Sequence, residues 1–349
     1  MKLKKKIVSI LKKNEIVYNF FYRLIYGKPL SRLVLCLLLP FPKLHSKFIV
    51  KHSSFFGFGR KYPRKIPLNL KEPVLFHEKA LWLKYYCYNR SKLCSICFDK
   101  YLVRDYIEKC GCGEYLNELY GVWDDVNKIP WNDLPEEYVL KKANGCGNHI
   151  FKTKETVLDV KKSKKYLKSF SKIELREAKI TGSLFAVKNK QRYICEKMLK
   201  STVGFSKPED IKFYCFNGEP KFTWYVCDRH NDHDYSDYLF DSFTFEDRSD
   251  LCSESAKIDI NLPNCYWEMI DICRKLSKPF PFVRIDFYVQ DDKPIFGELT
   301  FCPYGSFLMP YVFNKDNSIN YEGLRELGEL INLEKESIQQ LIHGDKNVK

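Results

Sequence analysis

Residues 282–300 read FVRIDFYVQDDKPIFGELT. From Val283 to Val289, apolar Val283, Ile285, Phe287 and Val289 alternate with Arg284, Asp286 and Tyr288, the two-residue period of a strand with one buried face. Gln290 to Pro294 is rich in turn formers and Pro294 to Phe301 reads as a second strand, so the stretch predicts an antiparallel hairpin. If Val289 pairs with Ile295, Asp286 falls opposite Glu298 and Arg284 opposite Thr300, with both carboxylates on one face. Like charges directly opposite one another are destabilising, so the pair asks for a cation. An all-oxygen site beside an arginine suits magnesium and phosphate. The alternative is two solvated carboxylates served by Arg284 alone.

Upstream, Phe213 to Phe216 and Lys221 to Cys227 flank Asn217-Gly218, a dipeptide that favours a tight hairpin turn. Pro220 predicts an edge or late-starting strand there. Glu136 to Lys154 reads as two extended runs around Gly145-Cys146-Gly147, another hairpin, with Lys141 and Lys142 ending the first run. Backbone N–H groups of such a glycine turn can approach phosphate oxygens while a lysine balances their charge. No GK[ST] leads into a helix, so this is not a P-loop. Phe76 to Tyr120 reads as helical apart from Gly111 to Gly113, Lys152 to Lys172 as a solvated helix or loop, and Ala186 to Leu199 as strand. Pro263 and Asn264 open a helix to Leu276, and a helical segment starts at Tyr321. The pattern is α+β with antiparallel hairpins.

The chain has 349 residues, about two domains' worth, and its 45% hydrophobic and 29% charged composition is that of a globular protein. Its net charge of +14 is unevenly placed: residues 1–65 hold 16 Lys and Arg against one acid, Glu15, leaving the rest of the chain at −1. A nucleic-acid groove would need positive charge spread over the globular part, which excludes nucleic acid as the expected partner. Leu3, Ile7, Ile10, Val17, Phe21 and Leu24, interleaved with Lys4, Lys5, Lys12, Lys13 and Arg23, form a basic amphipathic pattern suited to an anionic membrane surface, or to a helix packed on the body. The apolar run Leu33 to Leu39 is far below the roughly 18–20 residues that span a bilayer. No secretory signal is expected, which points to the cytoplasm, with peripheral contact at the inner face of the cell membrane. Fourteen cysteines scattered through apolar stretches read as free thiols. The cluster Cys94, Cys97, Cys110 and Cys112 could alternatively ligate zinc.

Six segments together resemble the TupA-like ATP-grasp family, associated with bacterial surface-polysaccharide (capsule, teichuronopeptide or lipopolysaccharide) biosynthesis. They are DKYLVRDYI from Asp99, YVLKKANGCG from Tyr138, YICEKML from Tyr193, IKFYCFNGEPKF from Ile211, FVRIDFY from Phe282 and FGELTFCPYG from Phe296. They run in family order over most of residues 75–310. The resemblance implies an ATP-grasp fold, two α+β lobes whose antiparallel sheets sandwich ATP, preceded by a basic helical segment. The implied division is 1–70 basic amphipathic segment, 71–135 mainly helical part, 136–200 nucleotide lobe with the glycine loop, and 201–349 metal and catalytic lobe.

The resemblance also implies roles. Lys100 and Lys141 would approach the phosphates under the Gly145, Cys146, Gly147 loop. Glu196, Lys197, Met198 and Leu199 would form the hinge that reads adenine. Lys212 could contact the nucleotide or its phosphates. Asp286 and Glu298 would hold magnesium, taken as two ions, with Thr300 where many ATP-grasp enzymes have Asn, and Arg284 would stabilise the transferring phosphoryl group. The loop departs from the family's KCNHGSG in lacking the His and Ser, and Lys197 stands where an acidic residue is common. The expected activity is carboxylate–amine ligation through an acyl phosphate, on a uronic acid or an amino acid carried by a glycan. The alternatives are phosphoryl or another glycan-modifying transfer in the same pathway, and a non-catalytic membrane-associated glycan scaffold.

Overall fold

The computed structural model describes residues 28–52, 68–145, 149–201, 208–227, 236–252, 260–306, 314–316 and 318–344. The amphipathic pattern of residues 3–24, and Cys146 and Gly147 of the glycine loop, lie outside them. Chain order begins with helices α1 (Lys28–Leu38) and α2 (Pro42–His52), the latter opened by a proline in the first turn, where its missing N–H costs nothing. Helix α3 (Phe76–Leu83) is capped by Glu78, whose carboxylate accepts from the N–H groups of Val74 and Leu75, and runs into a π-helical turn, Lys84–Tyr88. Short helices α4 (Lys92–Phe98) and α5 (Val103–Lys109) follow. The helical reading of Phe76 to Tyr120 stops short of its end, because strand β1 (Leu119–Trp123) begins there.

A four-stranded antiparallel sheet in the order β1-β4-β2-β3 joins β1 to β2 (Tyr138–Lys142), β3 (His149–Lys152) and β4 (Tyr193–Glu196). The hairpin expected around Gly145 is present, with Tyr138 opposite Lys152. Helix α6 (Val160–Thr181), capped by the Asp159 carboxylate at its start and by Gly182 in the left-handed conformation at its end, contributes Leu167 to this sheet's core. The strand expected from Ala186 shortens to Tyr193–Glu196, because Leu184–Val187 coils into a 3-10 turn.

The larger sheet has five antiparallel strands in the order β7-β6-β5-β8-β9, made of β5 (Asp210–Phe216), β6 (Glu219–Cys227), β7 (Ser236–Asp241), β8 (Phe282–Gln290) and β9 (Lys293–Thr300). Asn217 and Gly218, both at positive φ, form the predicted tight turn. Contrary to the edge-strand expectation, β6 is interior. Pro220 is tolerated because it sits at a bulge opposite Cys215 and because pairing with β7 starts only at Phe222. Helix α7 (Tyr266–Ser277) covers one face, and Phe213, Ile285 and Leu299, neighbours across three strands, are buried on the sheet. Each such burial contributes roughly 1.5–3 kcal/mol. Helices α8 (Tyr321–Glu329) and α9 (Lys335–His343) close the described chain.

The β8–β9 register corrects one premise and keeps its consequence. Val289 pairs with Pro294 rather than Ile295, because Asp291 and Asp292, both at positive φ, make a two-residue turn. A bulge at Gly297 then absorbs the one-residue difference, so that Asp286 still faces Glu298 and Arg284 still faces Thr300.

Candidate active site

Two cross-strand rows build the site. Lys212, Asp286 and Glu298 are aligned across β5, β8 and β9, and Tyr214, Arg284 and Thr300 form the adjacent row two residues on. The two-residue period puts both rows on one face of the sheet, with the Phe213, Ile285 and Leu299 row on the other.

Asp286 is buried, and both its oxygens are engaged. Arg284 donates to them through Nε at 2.6 Å and Nη2 at 2.7 Å, and Lys212 Nζ donates at 2.8 Å. Lys212 also donates to Asp210. Arg284 Nη2 reaches Thr300 Oγ1 at 3.2 Å, and Thr300 donates to Glu298 Oε1 at 2.9 Å. Lys100 Nζ donates to Glu298 Oε2 at 3.2 Å and to the Gly145 carbonyl at 2.9 Å, and its backbone N–H donates to Ala143. It thereby ties the loop after β2 to β9. Burial opposes charge at Glu298 and at Arg284. At Glu298 it is outweighed by Lys100, then Arg284 and Lys212, which hold the carboxyl well below its usual range. At Arg284 the Asp286 carboxylate outweighs it and raises the guanidinium further.

In the smaller sheet Lys141 Nζ donates to Glu196 Oε2 at 2.7 Å, and Arg104 approaches the other oxygen at 3.7 Å. Lys142, beside it, points to the opposite face and is buried, which pulls its ammonium down to about 8. The Lys197 N–H donates to the Glu118 carbonyl, and its own carbonyl accepts from Asn117 Nδ2 at 2.9 Å. The segment after β4 is therefore fixed by the residues leading into β1, with Met198 and Leu199 half-buried next to it.

Of the residues singled out from the sequence, Lys100, Lys212, Arg284, Asp286, Glu298 and Thr300 come together in one network. Lys141 and Glu196 form a second pair on the smaller sheet. Sequence reasoning missed Asp210, which the strand period from Lys212 could have found, and Arg104 and Asn117, whose partners are 92 and 80 residues away and leave no local signal. Cys94, Cys97 and Cys112 are buried free thiols, with burial pushing Cys94 and Cys97 well up. Among the described residues no group of three or more His, Cys, Asp or Glu is gathered so as to hold a metal ion.

A family model described as TupA-like ATPgrasp matches residues 78–329. The chain belongs to the TupA-like ATP-grasp family. Its two antiparallel sheets with helices are the α+β ATP-grasp architecture expected from the sequence. A comparison with curated proteins finds no match. Among solved structures, the chain is similar to a D-alanine–D-alanine ligase from Bacillus anthracis complexed with ATP, at 14% identity and a TM-score of 0.40, covering 72% of this chain and 70% of that one. It is also similar to the D-alanine–D-alanine ligase of Helicobacter pylori, at 13% identity and a TM-score of 0.36, covering 74% and 67%. An L-amino acid ligase from Bacillus licheniformis matches at 12% identity and a TM-score of 0.39, covering 83% of this chain and 56% of that one. At these TM-scores the three likenesses add nothing to the family match.

For this TupA-like ATP-grasp chain the donor set is compatible with magnesium that arrives with phosphate. Two carboxylates and a hydroxyl offer only oxygen, and the Glu298 side chain keeps 37% of its surface open. Magnesium commonly takes one or two protein carboxylates and completes its shell with waters and phosphate oxygens.

Proposed function

We propose that the protein is an ATP- and magnesium-dependent carboxylate–amine ligase that works through an acyl phosphate in bacterial surface-polysaccharide biosynthesis. The observation that carries the reading is the row of Lys212, Asp286 and Glu298 with Arg284 and Thr300 beside it. With Lys100 and Asp210 added, it sets three cations against three carboxylates at hydrogen-bonding range, a balanced network that can exchange partners. Phosphates would take over the cations as magnesium, in the expected number of two ions, takes Asp286, Glu298 and Thr300. When bound there, magnesium would withdraw charge from phosphate oxygens.

The chain's own residues do the rest. Lys100 and Lys141 approach the phosphates, and Glu196 to Leu199 line the adenine through the backbone. Lys212 and Arg284 are already desolvated, so their charges act on the γ-phosphoryl group without solvent reorganisation. A substrate carboxylate oxygen attacks the γ-phosphorus as the bond to the bridging oxygen breaks and ADP leaves. An amine then attacks the acyl carbon, phosphate departs, and the surplus proton passes to solvent. A uronic acid or an amino acid on a glycan fits this chemistry. The +15 of residues 1–65 supports placement beside an anionic membrane surface, where lipid-linked glycans are assembled.

The test is ATP consumption screened over uronic acids and amino acids paired with amines, followed by product mass. One ADP per amide is expected. Phosphate retained on a sugar product, or ADP released with no amide from any pair, overturns the ligase reading.

A further inference from the structure

Helices α1 and α2 carry an apolar stripe that faces outward. Leu33, Leu37, Phe41 and Leu44 are 54%, 67%, 58% and 55% exposed. Cys36 and Pro40 are exposed between them. Leu33 and Leu37, four residues apart, share a face of α1, Phe41 stands in the turn before α2, and Leu44 follows in the first turn of α2; these four exposed apolar side chains make up the α1–α2 ridge. The opposite side is fixed to the body. Leu35 and Ile49 are fully buried, His45 Nδ1 lies 2.7 Å from Tyr85 Oη, and His45 Nε2 lies 3.3 Å from the Lys179 carbonyl of α6. The ridge is therefore held in place by the fold.

Four large apolar side chains in a row at half exposure or more mark a contact surface. The charge around them selects the partner. Residues 28–52 contain five Lys and Arg and no acid, and no acid occurs between Glu15 and Glu72. Lys43 and Lys47 are exposed on α2 next to the ridge. An apolar stripe bordered by cations and free of anions matches an anionic lipid surface, with apolar side chains at the level of the acyl chains and ammonium groups among the headgroups. Among the described residues no helix is long and apolar enough to cross a membrane.

We propose that the α1–α2 ridge, Leu33, Leu37, Phe41 and Leu44 with Lys43 and Lys47, is a docking surface for an anionic bilayer. It deepens the peripheral placement proposed above and is independent of the ligase chemistry. The test is co-sedimentation of the full chain with phosphatidylglycerol vesicles and with purely phosphatidylcholine vesicles. Wild type should bind the former at least tenfold more tightly. The double variant Leu37→Glu/Phe41→Glu, and separately Leu33→Ser/Leu44→Ser, should lose at least tenfold in binding while keeping the wild-type melting temperature and its rise with Mg-ATP. Binding that survives in both variants overturns the proposal and assigns attachment to another segment. Loss on replacing Lys161, Lys164, Lys165 and Lys168 of α6 with the ridge intact also overturns it. So does a concentration-dependent dimer that the ridge variants abolish, since the ridge would then be a protein contact. Failure of the ligase reading would appear in the amide screen and leave vesicle binding unchanged.

Discussion

Asp286 receives three charge-assisted hydrogen bonds, two from Arg284 and one from Lys212, at 3% exposure. Taking away its charge leaves two buried cations facing a neutral amide, and breaking a buried pair in this way costs about 3–5 kcal/mol. Asp286→Asn should therefore lower the unfolding free energy in urea by about that amount, and Asp286→Asn/Arg284→Leu should recover part of the loss. Lys84 has a different balance. It is fully buried in the π-helical turn and donates to the Thr181 carbonyl at 2.8 Å, and burial pulls its ammonium down to about 7. Between that value and roughly 10.4 the unfolded chain holds a proton that the folded chain has released, so stability rises with pH across this window. Lys84→Met should flatten that rise, read as the urea midpoint at a series of pH values from 6 to 10.

Gly297 decides whether the element carrying the site has the right register. A Cβ at this position would stand 2.8 Å from the Asp286 carbonyl, inside contact distance of rigid backbone. Gly297→Ala should push β9 off β8 at the bulge, cost about 1–3 kcal/mol in stability, and reduce the melting-temperature rise with Mg-ATP by more than the unliganded loss accounts for. The hairpin was legible in the sequence because strand period and turn residues are local properties. Asp286 opposite Glu298 followed from a premise off by one residue, and the bulge restored it. A lone glycine in a strand is the signal for such a bulge, but its effect on register depends on the turn that follows. What stayed illegible was non-local: Lys212 on β5, which also binds Asp210, meets Asp286 across some 74 residues of chain, and β1 joins a sheet whose other strands begin at Tyr138. Of the two readings of Pro220, the edge strand failed for the same reason, since strand order is not encoded beside the proline, while the late start holds for the pairing with β7, which begins at Phe222.

At the scale of the whole molecule, Lys100 touches both parts of the proposed site, the Gly145 carbonyl after β2 and the Glu298 carboxylate on β9. It has two possible duties, holding the two sheets together or meeting the nucleotide between them, and these separate thermodynamically. A ligand that binds only the native state adds about 2.7 kcal/mol of stability at a hundred times its Kd, and a lost contact appears as a smaller gain at the same concentration. With the Lys100 and Glu298 side chains 12% and 37% exposed, the pair lies between an exposed one, which contributes about 0–1 kcal/mol, and a buried one, whose breaking costs about 3–5 kcal/mol. Lys100→Met should therefore lower the unliganded melting temperature modestly while removing most of the rise produced by Mg-ATP, both measured by calorimetry at fixed nucleotide. If instead the unliganded protein melts much earlier and the Mg-ATP increment stays whole, Lys100 is a strut between the sheets and the phosphate contact belongs to Lys141.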